Sequence, residues 1–344
     1  MIDIVVGGQY GDEGKGQVCA HLANKNNYKY AVRVSGSNAE HRFLDEKNKK
    51  HTARVLPVAA WIDPDIYCIL GAGHMIKLES FENELQELQR LWGPEIHERI
   101  LIDPQAGVIM NQHTKKSEYT NFRGSTHQGN GQAIAHKVLR DGTFKLAKDY
   151  PELERYLGNT VKRLDEFNHV GYHGLLEGAQ GALLSLNHGY YPFNTAKDVT
   201  PAGLLAEAGI PTKYVRDTWA VYRAIPMRVP GNSGPTGGRE IPWEELERRI
   251  NKNLPDSVKI QTDSFLVNKE GQYERVFEWS WEDFHKSVSM CGPSHIVITF
   301  GDWWPVDGTG SVDTFDQLIK TIQQMDLNVA MTRSGPKFED YKEL

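Results

Sequence analysis

Cysteine and long apolar runs are both scarce in this sequence. Its three cysteines, Cys19, Cys68 and Cys291, lie far apart and form no CxxC pair. This spacing excludes a disulfide framework and a structural zinc site built from cysteine pairs. No segment approaches the roughly 20 consecutive apolar residues of a membrane-spanning helix, so we expect no membrane partner. The scarcity of cysteine favours a reducing compartment, and the lack of a charged-then-apolar leader in the first residues favours the cytoplasm.

Positive charge is also in short supply. The chain of 344 residues carries 39 basic and 45 acidic side chains, a formal net charge of −6. A protein that coats DNA or RNA through phosphate contacts needs a basic excess, so we expect no nucleic-acid partner. Hydrophobic residues make up 39% of the chain, which is ordinary for a globular protein and sufficient for a large buried core.

Short β-branched runs alternate with longer amphipathic ones along the chain. Strands are predicted at residues 4–6, 31–34, 66–70, 100–102, 174–176, 223–229 and 295–300. Helices are predicted at residues 81–92, 150–167 and 243–250. This alternation indicates an α/β fold with a large, mostly parallel central sheet flanked by helices and smaller loop-rich regions. Residues 230–238, rich in Gly, Pro and Ser, are either a linker or an active-site loop.

The most informative segment follows the first predicted strand and reads Gly-Gly-Gln-Tyr-Gly-Asp-Glu-Gly-Lys-Gly over residues 7–16. Its glycines let successive backbone N–H groups turn towards one anion, and Lys15 adds a mobile positive charge. This pattern predicts a phosphate loop, although Gly16 stands where an ordinary P-loop has a magnesium-binding Ser or Thr. Asp12 and Glu13 are costly inside such a loop unless they bind Mg²⁺ or act on the substrate.

The loop resembles the signature Gly-Asp-Glu-Gly-Lys-Gly of the adenylosuccinate synthetase family, and further motifs follow in the family's order. Residues 37–41 (Ser-Asn-Ala-Glu-His) resemble its Asn-Ala-Gly-His, and residues 177–181 (Glu-Gly-Ala-Gln-Gly) match closely. Residues 137–140 (Lys-Val-Leu-Arg) resemble the segment whose arginine reaches into the partner subunit. The resemblance spans most of the chain and implies a single domain over residues 1–344 with a P-loop-like nucleotide-binding fold.

This resemblance implies a ligase that joins L-aspartate to C6 of a purine nucleoside 5′-monophosphate. ATP or GTP first phosphorylates the C6 oxygen, and the amine of aspartate then displaces the phosphate. The lactam oxygen is a poor nucleophile until N1–H is removed, and by resemblance Asp12 removes this proton. His41 is the implied general acid. Mg²⁺, for which Asp12 is an implied ligand, offsets the charge of the transferred phosphoryl group together with Lys15.

The implied binding residues are those at the family's motif positions. For the triphosphate they are Gly11, Glu13, Gly14, Lys15, Gly16, Asp302, Ser334, Gly335 and Pro336. For the purine monophosphate they are Asn38, Ser125, Thr126, Arg140, Gln180, Thr195 and Val229. Hydroxyl and amide groups suit a phosphate or a base, but beside glycines they are also suited to closing turns. Arg140 requires a homodimer, because the family completes each site across the two-fold axis.

Three departures from the family pattern concern the metal, the aspartate and the triphosphate base. Glu40 replaces a glycine whose carbonyl helps to hold Mg²⁺, so Glu40 is either a metal ligand or a solvent-facing side chain. The arginine-rich aspartate loop is reduced to Lys269 and Arg275, and Arg275 is the better candidate for binding an aspartate carboxylate. Phe300 replaces a lysine close to Asp302, which leaves both ATP and GTP open as the phosphoryl donor.

These departures together resemble a viral branch of the family that acts on dGMP and makes the precursor of 2-aminoadenine. Guanine and hypoxanthine both present the N1–H and the C6 oxygen that the reaction needs, and guanine adds a 2-amino group. The leading expectation is ligation of dGMP, and conventional ligation of IMP with GTP stays open. A nucleotide-binding protein without turnover is the third hypothesis, which the presence of Asp12, Lys15 and His41 disfavours.

Overall fold

The computed structural model describes residues 1–118, 127–251, 273–304, 314–335 and 337–344. The strands in these ranges are β1 (Ile2–Gly7), β2 (Tyr30–Arg33), β3 (His41–Leu44), β4 (Lys50–Ala53), β5 (Tyr67–Leu70), β6 (Met75–Ile76), β7 (Ile100–Ile102), β8 (Gly107–Val108), β9 (Gly174–Glu177), β10 (Val215–Arg223), β11 (Met227–Arg228), β12 (Glu240–Ile241), β13 (Arg275–Phe277), β14 (His295–Thr299), β15 (Val329–Arg333) and β16 (Tyr341–Glu343). The α-helices are α1 (Lys15–Lys25), α2 (Leu78–Trp92), α3 (Asn111–Glu118), α4 (Asn130–Leu139), α5 (Thr160–His169), α6 (Pro201–Ala208), α7 (Trp243–Asn251), α8 (Trp281–Cys291) and α9 (Phe315–Gln323).

One nine-stranded sheet organises the molecule, in the order β16-β15-β14-β10-β1-β9-β2-β5-β7. Every neighbouring pair is parallel except β15 and β16, which are antiparallel at one edge. The most N-terminal strand, β1, lies between β10 and β9. The sheet therefore draws its strands from almost the whole length of the described chain.

Both faces of the sheet are covered by helices. Val5 of β1 packs with α1 and α2 residues in one buried cluster, whereas Ile4 and Val6 pack with residues of α6, α8 and α9 in the other. Successive side chains of a strand point to opposite faces, so a strand buried on both sides must be apolar at consecutive positions. This is why β1 appears in the sequence as a continuous apolar run.

In the described ranges, three small sheets stand beside the central one. β3 and β4 form an antiparallel hairpin, β6 and β8 pair in parallel, and β11, β13 and β12 form an antiparallel sheet in that order. The hairpin begins at His41, and the three-stranded sheet carries Arg228 and Arg275. These small sheets place side chains above the central sheet that the parallel strands by themselves do not supply.

The α/β expectation is confirmed, with two local corrections. The predicted helix at residues 150–167 is instead a 3₁₀ helix (Pro151–Tyr156) followed by α5. α5 has its own start, because the Asn159 side chain accepts a hydrogen bond from the Lys162 N–H at 2.9 Å. The predicted strand at residues 223–229 is divided between β10, which ends at Arg223, and β11 in another sheet.

Parallel strands bring their carboxyl ends to the same edge of the sheet. β1, β2, β9, β10 and β14 end there at Gly7, Arg33, Glu177, Arg223 and Thr299. Ligands of open α/β sheets bind outside this edge. In the ranges described above, every helix is too short or too polar to span a bilayer.

Candidate active site

The loop between β1 and α1 has the geometry of an anion cradle. Gly11 and Gly14 have φ angles of 90° and 85°, which a residue with a side chain rarely adopts, and they let the chain turn back on itself. The loop N–H groups of Gln9 and Gly11 both donate to Oε1 of Glu13, at 3.1 and 2.9 Å. Oε2 of Glu13 lies 2.5 Å from Nζ of Lys15. The donors thus converge on a buried carboxylate, and an incoming phosphate would compete with Glu13 for them.

Asp12 lies at the outer turn of this loop. Its φ angle is 57° and the residue is exposed. Its carbonyl oxygen accepts a hydrogen bond from Nη1 of Arg223 at 3.0 Å, which fixes the backbone of the turn. Within the described part of the chain, the Asp12 carboxylate forms no hydrogen bond or ion pair. It is therefore available to a ligand or a metal.

Gly16 explains why the loop departs from an ordinary P-loop. A Cβ atom at residue 16 would lie 2.9 Å from the Cβ of His41 and 3.1 Å from the Arg42 carbonyl. A Ser or Thr at this position would displace the hairpin that begins at His41. The absent hydroxyl is thus the consequence of bringing His41 against the first turn of α1.

His41 forms a buried pair with Glu177. Its Nδ1 lies 2.6 Å from Oε1 of Glu177, and the other carboxylate oxygen accepts the Val58 N–H at 2.8 Å. Glu177 is fully buried at the end of β9. The Arg33 guanidinium, also fully buried, lies 3.4 Å from the same Oε1 atom and donates to the carbonyls of Leu56 and Ala39. Glu177 therefore has a cation on one side and an imidazole on the other.

Burial and charge set the protonation of this pair. Burial, followed by the Arg33 charge, lowers the pKa of His41, and Glu177 opposes this effect. Burial alone would raise the pKa of Glu177, but Arg33 and His41 bring it below the usual value. At neutral pH the pair is therefore a carboxylate and a neutral imidazole. The tautomer that satisfies Glu177 carries its proton on Nδ1.

The loop that follows β9 borders the cradle and contains Gln180. A Cβ at Gly181 would lie 2.5 Å from Oε1 of Glu13, so the two loops are in direct contact. Gln180 has a φ angle of 61° and is half-buried. The Oδ1 atom of Asn38, in the loop before His41, is buried with no hydrogen-bond partner among the described residues. Such an orphaned acceptor is costly in a folded protein and indicates a position for a ligand donor.

The other predicted monophosphate residues are more widely spread. Thr195 is half-buried and its N–H donates to the Leu184 carbonyl at 2.7 Å. The Val229 carbonyl accepts the hydroxyl of Ser233 at 2.6 Å. Arg140 is exposed in the residue that follows α4, with a φ angle of 54°. Ser125 and Thr126 lie outside the described residues.

The predicted triphosphate-base residues meet beside the phosphate loop. A Cβ at Gly14 would lie 3.5 Å from the ring of Phe300, and a Cβ at Gly301 would lie 2.5 Å from Oγ of Ser334. Asp302 is exposed in the 3₁₀ turn at Gly301–Trp303. The structure thus brings Asp302 and Ser334, together with the adjacent Gly335, to the same side of the loop. Pro336 lies outside the described residues.

Arg275, predicted to bind aspartate, and Glu40, a candidate metal ligand, both have other partners in this structure. Arg275 donates to both carboxylate oxygens of Glu240, at 2.9 and 2.5 Å, and to the carbonyl of Gly234 at 2.7 Å. Glu40 is held by ion pairs with Arg42 and Arg54. To bind an aspartate carboxylate, Arg275 would have to release Glu240, and to reach a metal, Glu40 would have to leave Arg42 and Arg54. Lys269 lies outside the described residues.

Mg²⁺ fits the site through Asp12. The described residues contain no group of three or more His, Cys, Asp or Glu side chains that would hold a metal alone. Mg²⁺ in phosphoryl transfer takes most of its ligands from phosphates and water, and only one or two carboxylates from the protein. The unpaired carboxylate of Asp12 beside the cradle meets this requirement.

A carboxylate outside the sequence-based assignments ties three loops together. Asp283, at the start of α8, accepts the Tyr10 hydroxyl at 2.5 Å, the Tyr190 hydroxyl at 3.0 Å and the Gly237 N–H at 2.7 Å. These partners belong to the phosphate loop, the loop that contains Thr195 and the loop at residues 230–238. The last of these is therefore attached to the site and is not an isolated linker.

Sequence reasoning also left Arg33, Glu177 and Arg223 without a role. All three are charged residues at the carboxyl end of a buried strand, and that position was the available signal. Glu177 was within a recognised motif, but its partner His41 is 136 residues away. A charged residue at the end of an apolar run therefore indicates a candidate site residue, as does a charged residue inside a glycine-rich loop.

A loop that cradles an anion at the carboxyl edge of a parallel sheet is the geometry of a protein that binds nucleotide phosphates. Comparison with known proteins identifies the family. The family model described as adenylosuccinate synthetase matches residues 4–149 and 143–253. The chain belongs to the adenylosuccinate synthetase family, whose members are ligases that form a carbon–nitrogen bond at the expense of a nucleoside triphosphate.

Similar proteins include phage and archaeal enzymes. N6-succino-2-amino-2′-deoxyadenylate synthase of Vibrio phage phiVC8 is 28% identical, over 98% of this chain and 97% of its own. Adenylosuccinate synthetase of Methanococcus vannielii is 35% identical, over 97% of this chain and 96% of its own. The cyanophage S-2L succinoaminodeoxyadenylate synthetase, solved with dGMP and with dATP as energy donor, shares the fold with a TM-score of 0.82 at 22% identity, over 99% of this chain and 95% of that one.

Proposed function

We propose that this chain joins L-aspartate to C6 of dGMP through a 6-phosphoryl intermediate and so forms 2-amino-2′-deoxyadenylosuccinate. The observation that carries the proposal is the Asp12 carboxylate on the anion cradle, which is unpaired among the described residues. The buried pair of His41 and Glu177 lies beside the cradle, with His41 against the first turn of α1. A protein that only binds a nucleotide needs the cradle but neither the free carboxylate nor the imidazole. The similarity to the phage synthase supports dGMP as the acceptor.

In the first step Asp12 takes the proton from N1 of guanine. The electron pair moves to O6, which attacks the γ-phosphorus of the triphosphate, and the bond from that phosphorus to the β–γ bridging oxygen breaks. The nucleoside diphosphate leaves, and the phosphoryl group is now on O6. The protein's contribution is to hold the two nucleotides in line and to place a base at N1.

In the second step the amine of aspartate attacks C6, and the bond from C6 to the phosphorylated oxygen breaks. The departing phosphate takes one proton from the amine. The neutral Nε2 atom of His41 accepts this proton from the amine, the Glu177 carboxylate at Nδ1 stabilises the imidazolium that forms, and Nε2 then passes the same proton to a phosphoryl oxygen. The buried Arg33 keeps Glu177 ionised for this purpose.

Substrate contacts are assigned as the sequence predicts. Asn38 and Gln180 line the purine side of the cradle, Thr195 and Val229 follow the sugar and phosphate, and Ser125 with Thr126 completes the monophosphate site. Asp302, Ser334, Gly335 and Pro336 bind the base of the triphosphate, while Gly11, Glu13, Gly14, Lys15 and Gly16 bind its phosphates. ATP, dATP and GTP are all compatible donors.

Arg275 binds a carboxylate of L-aspartate after releasing Glu240. The guanidinium already holds a bidentate carboxylate in this structure, which is the geometry that an aspartate carboxylate requires. Mg²⁺ would be held by Asp12, with Glu40 as a second candidate, and when bound it neutralises phosphate charge during transfer.

The proposed assembly is a homodimer in the cytoplasm. Val138 and Leu139, directly before Arg140, are 67% and 72% exposed, so an apolar pair and an arginine stand together on one surface. A partner subunit that covers Val138 and Leu139 would receive Arg140 at its monophosphate site. The three cysteines are free and buried, which fits a reducing compartment.

The experiment offers dGMP or IMP in separate tubes with aspartate, Mg²⁺ and ATP, dATP or GTP, and identifies the products by mass spectrometry. An aspartyl adduct of dGMP is the expected product. Asp12→Asn should abolish 6-phosphorylation and leave dGMP affinity within about threefold, whereas Asp65→Asn, an exposed control, should retain activity. Full activity of Asp12→Asn would refute its role as the base, and the absence of an adduct from either purine would refute the ligase.

Conventional ligation of IMP is the second candidate. The archaeal adenylosuccinate synthetase is the more identical of the two relatives, at 35% against 28%. Hypoxanthine presents the same N1–H and C6 oxygen to Asp12, so the mechanism is unchanged. An adduct from IMP alone would select this candidate.

A further inference from the structure

Arg223 is a buried cation beside the phosphate loop that lacks an ion-pair partner in the described part of the chain. It is 6% exposed at the last position of β10. A guanidinium has five N–H donors, and this one forms a single hydrogen bond there, from Nη1 to the Asp12 carbonyl at 3.0 Å. Its Nε atom is buried without a partner.

The position of Arg223 is fixed from several sides. The Gln9 side chain accepts the N–H of Arg223 at 2.9 Å and donates to its carbonyl at 3.2 Å, so the phosphate loop is attached to this residue's backbone. The guanidinium lies 3.5 Å from the centre of the Phe300 ring and 4.8 Å from that of Trp303. Stacking on two rings holds its plane and leaves its edge for hydrogen bonds.

The neighbouring charges do not neutralise Arg223 by direct contact. The carboxylates of Glu274, Asp12 and Asp302 act on it through space, yet none forms an ion pair with it. Burial lowers the pKa of Arg223 to about 10, and the group stays charged at neutral pH. Lys15, by contrast, is paired with Glu13 at 2.5 Å. Burying a charged group without a counter-ion is costly unless a ligand supplies one.

We propose that Arg223 binds the terminal phosphate of the nucleoside triphosphate and stabilises the charge on the phosphoryl group as it moves to the purine. This inference rests on the proposed function and adds a residue to it. Arg223 forms hydrogen bonds with Gln9 and Asp12 of the phosphate loop. This loop carries the N–H groups of the anion cradle on one side and the proposed base, Asp12, on the other. The part of the triphosphate that passes between these two positions is the γ-phosphate. A guanidinium supplied from the same chain would act there as it does in other phosphoryl-transfer enzymes.

The test compares affinity for a triphosphate with affinity for a diphosphate. Calorimetry with the imido analogues of ATP and GTP, and with ADP and GDP, gives this ratio for wild type, Arg223→Lys and Arg223→Met. For Arg223→Met we expect the ratio to fall about tenfold or more and kcat for ligation to fall at least about 100-fold, with Arg223→Lys intermediate. Arg216→Lys, at the opposite end of the same strand and paired with Asp3, should leave both unchanged.

A structural role for Arg223 would give a different pattern. Loss of the hydrogen bond to Asp12 alone would lower the melting temperature and weaken both nucleotides equally, and an unchanged triphosphate-to-diphosphate ratio would overturn the proposal. The binding ratio does not depend on turnover. If the wild-type protein formed no aspartyl adduct, the proposed function would fail. The ratio of triphosphate to diphosphate affinity would still decide whether Arg223 binds the terminal phosphate.

Discussion

Replacing Glu177 by Gln tests the buried pair on which His41 depends. Glutamine keeps the shape of the side chain and one oxygen for the Val58 N–H, but it removes the negative charge between Arg33 and His41. Removing one partner of a buried ion pair costs about 3–5 kcal/mol, because the other charge is left uncompensated. Because glutamine retains the hydrogen bond from the Val58 N–H, we expect the free energy of unfolding to fall by about 3 kcal/mol, the lower end of this range. At about 2.1 cal/mol/K of unfolding entropy per residue, we expect the melting temperature of this 344-residue chain to fall by roughly 4 °C.

The effect on turnover has a defined pH dependence. Glu177 raises the pKa of His41 against the lowering effects of burial and Arg33, so its removal lowers that pKa further. His41 loses its proton as the pH rises through its pKa, and in Glu177→Gln it loses this proton at a lower pH. The imidazolium that relays the proton is less stable in the variant, so we expect kcat to fall about 100-fold at neutral pH. The deficit relative to wild type should grow between the lowered pKa of the variant and the wild-type pKa of His41 and stay constant at higher pH.

The assay measures kcat against pH for both proteins, below the melting temperature of the variant. Glu87→Gln is the matched control, because Glu87 lies 3.0 Å from Nδ1 of His51 in a second His–Glu pair in the β3–β4 hairpin region. It should keep both kcat and the pH profile. A Glu177→Gln protein that is folded and has the wild-type pH profile would refute the role given to this pair.

Two further changes test the surroundings of the site. Asp283→Asn removes the anionic acceptor shared by three loops, so we expect higher KM values for both nucleotides with a smaller fall in kcat; steady-state kinetics would contradict this if kcat alone changed. Arg140→Ala should raise the KM for the monophosphate. Mixing it with Asp12→Asn chains should restore about a quarter of wild-type activity, since half of the dimers are hybrids with one complete site each. No recovery after subunit exchange would argue against a shared site.

Local sequence was sufficient for the parts of the protein whose chemistry is local. The glycines and charges of residues 7–16 define the anion loop, because the turn and its donors are all contributed by adjacent residues. The apolar runs of β1, β2 and β14 likewise identified a parallel sheet covered on both faces. β10 was missed because Val-Arg-Asp-Thr-Trp at its start lacks the continuous apolar pattern, although its second half is buried at the centre of the sheet.

The tertiary structure alone decided which distant charges meet. Glu177 reaches Arg33 and His41 because β9 lies beside β2 in the sheet, and Arg223 reaches Asp12 because β10 lies beside β1. Arg275 likewise binds Glu240 because β12 pairs with β13. Strand order follows from how the whole set of apolar faces is buried, and that free energy is shared among residues far apart in the chain. The sequence could therefore propose residues for the chemistry, whereas the partners that set their charge emerged only from the packing.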